Sequence, residues 1–224
     1  MEKAISTTKR WFNLFLEILF PSKCLGCNKK GEALCENCIN NLRLAERPTE
    51  DKIFALYDYR DPLIKKAIWQ LKYHHYPHLG QKLGESLYFA FLEEINEIRM
   101  FSQGSPICII PVPISHDKRK VRGYNQSEII ARNFCNCGEK NLFEFKKDII
   151  YKKINTIPQA RIENRNRRLQ NIKGAFLIKN EEQIKGRTIV VIDDVTTTGG
   201  TLMEIMKLLK HSGAKKVIGF AIAH

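Results

Sequence analysis

The chain has 224 residues, 43% of them hydrophobic, with 37 Lys+Arg against 24 Asp+Glu and a net charge of +13. That length supports one sizeable core with room for a small appended module, and the charge favours polyanions: nucleic acid, an anionic membrane, or a phosphate-rich small molecule. No apolar run reaches the roughly 20 residues of a membrane span, and the stretch from Trp11 to Phe20 contains Glu17 and precedes no small-residue cleavage site. The expected compartment is therefore the cytoplasm, where seven cysteines point to metal or free thiols before disulfides.

In chain order, residues 8–20 read as a short helix ended by Pro21, expected to pack on the main domain, with a membrane-surface role as the alternative. Cys24 to Cys38 form a compact module, and residues 53–59 alternate like a strand. Residues 61–73 predict a helix with Asp61 as N-cap and Pro62 in its first turn; residues 79–99 predict a second, longer one. Ile107–Pro113, Thr188–Ile192 and Lys216–Ala223 are buried-type apolar runs. Helical stretches over Asn125–Phe134 and from Thr201 to about Ser212 separate them. Apolar strands alternating with helices predict an α/β fold with a parallel sheet covered on both faces.

Cys24-x-x-Cys27 and Cys35-x-x-Cys38 each let two thiolates reach one ion from a tight turn. Two such turns complete a tetrahedral shell, the geometry of structural zinc. An iron–sulfur cluster or a redox pair uses the same residues. A closed four-sulfur shell leaves no ligand position open, which points to structure and not catalysis. Cys108 reads as a small core residue, and Cys135 and Cys137 as plain thiols.

The strongest signal runs from Val190 to Thr201, VVIDDVTTTGGT. A buried strand ends at two carboxylates, Asp193 and Asp194. A turn of hydroxyls and glycines follows, and then a helix begins. Such a turn lets backbone N–H groups approach a phosphate, and the helix N-terminus adds its positive dipole end. Thr197, Thr198 and Thr201 supply further hydroxyl donors. The two acids would repel an anion, so hydrogen bonds to ribose hydroxyls with a Mg²⁺ nearby suit them better. No Walker loop is present. This string resembles the phosphoribosyl-diphosphate signature of type I phosphoribosyltransferases. The resemblance implies a phosphoribosyltransferase-type fold. It gives Asp193 and Asp194 to the ribose, as the candidate catalytic pair. It gives the turn from Val195 and Thr196 through Thr197, Thr198, Gly199 and Gly200 to Thr201 to the 5′-phosphate side of the ligand.

Pro111-Val112-Pro113 leads into a basic stretch with Lys118, Arg119, Lys120 and Arg122, read as a strand-end loop able to grip a diphosphate. Arg119 and Arg122 are its candidate ligand contacts, and Asn125 is a plausible cap for the following helix. Residues 152–173 carry Lys152, Lys153, Arg161, Arg165, Arg167, Arg168 and Lys173 against one acid, Glu163. That segment reads as a flap that closes over a polyphosphate or runs along a nucleic-acid backbone.

In order, the four-cysteine knuckle, Pro-Val-Pro, Arg122-Gly123-Tyr124-Asn125-Gln126, Gly174-Ala175-Phe176 and Asp193–Thr201 resemble the ComF family of competence proteins, including its ComFC and GntX-like members. The resemblance implies an N-terminal apolar helix over 1–21, a zinc-binding module over 22–48 and a phosphoribosyltransferase-like domain over 49–224. It also implies a role in natural transformation: phosphoribosyl diphosphate bound with Mg²⁺, single-stranded DNA met on the cytoplasmic side, and a peripheral contact with membrane DNA-uptake proteins. The alternative is an active phosphoribosyltransferase of nucleobase or nucleotide metabolism with no DNA role. His74, His75 and His78 read as an exposed helix end or loop without metal, and Trp69, Tyr73 and Tyr76 as a partly buried, packing helix face rather than a stacking platform.

Overall fold

The computed structural model describes residues 23–46, 52–74, 76–153 and 174–224. The N-terminal helix expected over 8–20, His75, and the basic residues Arg161, Arg165, Arg167 and Arg168 lie outside the described residues. The chain divides into two compact units between Leu42 and Arg43.

In the first unit the Lys23–Lys30 turn is closed by Asn28 N–H donating to Cys24 O at 2.9 Å, with Asn28 in the left-handed region at φ 62°. Asn tolerates that conformation better than most residues. Helix α1 (Glu36–Asn40) follows with Cys35 as its N-cap residue.

The second unit is built on five strands: β1 (Ile53–Tyr57), β2 (Ile107–Pro111), β3 (Phe143–Phe145), β6 (Thr188–Val195) and β7 (Lys216–Ala223). They run parallel in the order β1-β7-β6-β2-β3. A sheet buried on both sides needs apolar residues at every position, and β6 and β7 supply them. Ile189, Val191, Val217 and Ala221 join Leu202, Ile205 and Leu209 of helix α7 (Gly200–His211) in one core. Along β7 the ring of Phe220 alternates to the opposite face. There Phe220 stacks on Phe91 with ring centroids 4.7 Å apart, and Phe134 and Phe54 lie at its edges. Phe54 comes from β1, Phe91 from the turn between helices α3 (Pro77–Ala90) and α4 (Leu92–Phe101), and Phe134 from helix α6 (Gln126–Cys137), which together cover this face. Glycine lets α3 and α6 touch: a Cβ on Gly84 would stand 2.6 Å from the carbonyl oxygen of Ile130.

Helix α2 (Pro62–Tyr73) begins just beyond β1, with Asp61 accepting from the N–H groups of Leu63 (2.8 Å) and Ile64 (3.3 Å). Its buried stripe is Ile64, Ala67, Ile68 and Leu71. Two expectations need correction. The single helix over 79–99 is two helices, broken at Phe91 (φ −115°, ψ 29°). The basic stretch after β2 is not a loop but a short helix, α5 (His116–Arg122), whose start is capped by Ser115 and whose end turns at Gly123 (φ 77°).

Strands β4 (Ile150–Lys152) and β5 (Phe176–Ile178) form a separate antiparallel pair, and Lys153 N–H donates to Ala175 O at 2.8 Å. The basic segment therefore leaves and re-enters the fold at neighbouring points.

Candidate functional site

From β2 the chain crosses to β3 on one side, and from β6 it crosses to β7 on the other. The loops after β2 and β6 diverge at this point, and open α/β sheets place ligands in such a crevice. Pro111 pairs with Ile192, so Asp193 and Asp194 lie level with the loop after β2. Both are buried, at 7% and 4% exposed.

Each acid is held from a different part of the chain. Ser127 Oγ, in the first turn of α6, donates to Asp193 Oδ1 at 3.0 Å, and Asp194 N–H donates to the same oxygen at 2.8 Å. Asn125 Oδ1 caps that helix through Ser127 N–H at 3.1 Å while its Nδ2 donates to Val112 O at 3.0 Å. This side-chain pair of bonds ties the helix start to the end of β2. Asp194 Oδ2 faces Lys72 Nζ, from the last turn of α2, at 3.0 Å. Burial, then the Asp194 charge, pushes the Asp193 carboxyl up to about 7, against the pull of the Asp194 N–H, Lys72 and Ser127. Burial opposes the Lys72 charge, but Asp194 outweighs it and holds the ammonium above the ordinary lysine range.

The turn after the acids runs straight into α7. Thr196 is buried, with its N–H on Ala223 O at 2.9 Å. Gly199 takes φ 69° and brings no side chain to cap α7. Gly199 and Gly200 are buried as well. A twelve-residue helix thus starts from a glycine with the positive end of its dipole facing the crevice loop.

Of the basic residues, Arg122 is brought in and 8% exposed. Its Nη1 donates to Gln126 Oε1 at 3.0 Å, and its guanidinium lies 5.0 Å from the centroid of the Tyr73 ring. Arg119 points to an exposed face, paired with Glu128 at 3.3 Å. Lys118 holds its proton less tightly because of desolvation, then the charges of Arg122 and Lys72. Lys152 does so because of desolvation, then Lys118, with Asp193 opposing. Lys72, Lys118 and Lys152 therefore each interact with one or both acids, and Arg122 with Lys118. Lys153 is exposed.

Local sequence pointed to the acids and the turn but not to Lys72 or the Ser127 bond. Trp69 and Tyr73 are 51% and 54% exposed, at the open end of the partly buried face expected of them, and Tyr76 is half-buried. The buried stripe of α2 is complete without Trp69 and Tyr73.

In the first unit the Sγ atoms of Cys24, Cys27, Cys35 and Cys38 all lie within 4.8 Å of one another. Cys35 Sγ is 3.6 Å from those of both Cys24 and Cys27. Thiolates bound at about 2.3 Å around a tetrahedral ion stand about 3.8 Å apart, so the donor set fits zinc. Burial alone would raise the Cys24 thiol, but N–H groups of Cys35, Cys27 and Gly26 bring it down to about 6. A hydrogen bond with the Cys35 side chain, then burial, pushes Cys38 up to about 12. Four such thiols ionise together only around a cation. Burial pushes Cys108, in the core as expected, and the half-buried Cys135 up to about 12.

Comparison with known proteins agrees with this architecture. The phosphoribosyl transferase domain family matches residues 123–224. Competence protein F of Haemophilus influenzae is 29% identical over 223 residues, 93% of either chain. The DNA utilization protein YhgH of Escherichia coli is 30% identical over 177 residues, covering 78% of this chain and 72% of that one. The chain belongs to the ComF family. A further ComF relative, competence protein ComFC of Streptococcus pneumoniae, is 30% identical over 143 residues, covering 64% of this chain and 57% of its own. The ComF fold here combines a parallel phosphoribosyltransferase sheet with an N-terminal four-cysteine cluster. Among the described residues no helix is long and apolar enough to cross a membrane.

Proposed function

We propose that this ComF chain binds phosphoribosyl diphosphate with Mg²⁺ at the crevice between β2 and β6, and serves natural transformation or DNA utilization. The carrying observation is the buried acid pair Asp193–Asp194, with Asp194 paired to Lys72, set directly before the glycine start of α7. The acids suit ribose hydroxyls, and the Thr197–Thr201 turn with the α7 N-terminus suits the 5′-phosphate. Arg122, Lys118 and Lys152 supply charge for the diphosphate. The Asp194 oxygen already faces Lys72. The site therefore fits a Mg²⁺ held chiefly by the ligand's oxygens and water, as that ion prefers. When bound, Mg²⁺ would offset charge on the departing diphosphate.

The zinc-binding module over 22–48 holds its ion for structure through Cys24, Cys27, Cys35 and Cys38. Residues 49–224 carry the ligand. The DNA half of the proposal rests on the names of the ComF relatives and on the net charge of +13. Lys152 and Lys153 stand at the root of the basic segment that would follow a strand. A second reading, an active phosphoribosyltransferase, is favoured by the intact acid pair. There the substitution at the ribose carbon is loose, and Asp193 and Asp194 hold the ribose while the cations stabilise the leaving group.

Thermal denaturation tests the ligand directly, because a molecule that binds only the folded state raises the melting temperature. Phosphoribosyl diphosphate with Mg²⁺ should raise it, and ribose 5-phosphate alone should raise it less. No shift with zinc-loaded protein would contradict the reading.

A further inference from the structure

Helix α2 turns aromatic rings outward beside the crevice. Trp69 and Tyr73 are more than half exposed and one turn apart on one helix face. Rings of this size usually contribute buried area, so two left open beside a site call for a partner. They are already organised. The Trp69 and Tyr73 centroids are 6.0 Å apart, and His74 lies 4.3 Å from Trp69 on a ring plane tilted by 46°. Arg122 continues the row, 5.0 Å from Tyr73, with Nη2 donating to Tyr73 Oη at 3.4 Å. From the same turn Lys72 reaches Asp194. Lys118 is close enough to sense Lys72, Arg122 and Tyr73, and Lys152 close enough to sense Lys118.

We propose that the Trp69–Tyr73 face is a stacking shelf for the bases of single-stranded nucleic acid, whose phosphates follow Lys118 and Lys152. This rests on the DNA half of the function proposed above. Three features select the partner. The neighbouring side chains are cationic, which repels a basic partner and attracts a polyanion. The exposed groups are π faces, which bases stack on whatever their sequence. The shelf is open, so one free base gains little from it, whereas consecutive bases of a strand add their contacts. A duplex keeps its base faces inside its own stack and has none to offer.

The test uses the full-length zinc-loaded protein. Binding of a labelled oligothymidylate of about 12 nucleotides, a length in the range of single-strand sites, is followed by anisotropy. It is compared with an abasic strand of equal length, with thymidine monophosphate, and with phosphoribosyl diphosphate. A Trp11→Phe variant leaves Trp69 as the only indole, whose fluorescence reports stacking; the anisotropy arm does not depend on that variant. The shelf predicts Trp69 quenching by oligothymidylate and affinity for the abasic strand weaker by about 10-fold. Trp69→Ala should produce a similar loss for oligothymidylate, Trp69→Phe should recover most of it, and phosphoribosyl diphosphate binding should be unchanged in both. Equal affinity for the abasic strand, or equal binding in Trp69→Ala, overturns the shelf while leaving DNA binding in place. Thymidine monophosphate binding as well as the strand overturns it in favour of a free-nucleotide site. Absence of any DNA binding removes both the shelf and the DNA half of the function, and leaves the phosphoribosyl diphosphate half standing.

Discussion

Asp193 carries its charge at an energetic disadvantage. It is buried against a second carboxylate, and the nearby Lys72 ammonium faces Asp194 rather than Asp193. An acid whose folded-state pKa is raised makes the folded state hold its proton more tightly than the unfolded one. Stability is then full below the unfolded value and declines as pH rises towards the folded value of about 7. Asn at this position keeps an acceptor for Ser127 Oγ and for the Asp194 N–H and removes the charge. Asp193→Asn should melt at or above the wild-type temperature, with its advantage growing between about pH 4 and pH 7 and then levelling off. A constant difference across that range in thermal melts would show that Asp193 does not titrate there. The acid pair and the Thr/Gly turn were legible in the sequence because they are consecutive. Lys72 and Ser127 were not, because they reach the pair from α2 and α6 and no local pattern marks a lysine that ends an amphipathic helix.

Strands β2, β6 and β7 are legible for a simple reason: a parallel sheet with helices on both faces demands unbroken β-branched and aromatic runs. The break at Phe91 was hidden because Leu87, Phe91, Ile95 and Ile98 keep a continuous apolar spacing across it. All four are buried, so periodicity reads straight through a change that only the backbone records. Helix α5 was missed because a basic run without apolar periodicity looks like a loop, although Ser115 and Gly123 mark its ends. Packing between elements makes its own prediction. Alanine favours helix over glycine, yet at Gly84 its methyl would meet the carbonyl oxygen of Ile130 at 2.6 Å. Backbone cannot yield as a side-chain tip can, so Gly84→Ala should destabilise by about 1–3 kcal/mol, read from the denaturant midpoint. A neutral or stabilising result would mean that α3 and α6 pack less closely than described.

For the molecule as a whole, two compact units carry two different chemistries. The first has too few apolar residues between Lys23 and Leu42 for a core of its own, and metal binding is folding free energy in such a module. Chelation should therefore expose sites between Cys24 and Cys38 to protease before the sheet of residues 43–224 is cut. Simultaneous loss of both, or retained resistance of the cysteine module, would count against a structural zinc site. The second unit places cations, an acid pair and a helix N-terminus at one switch point of a parallel sheet. Calorimetry shows whether that arrangement holds the ligand. Phosphoribosyl diphosphate with Mg²⁺ should bind the wild-type protein, and Asp193→Asn with Asp194→Asn should lose that binding while staying folded and zinc-loaded. Equal binding by the double variant, or none by folded wild type, would contradict the account.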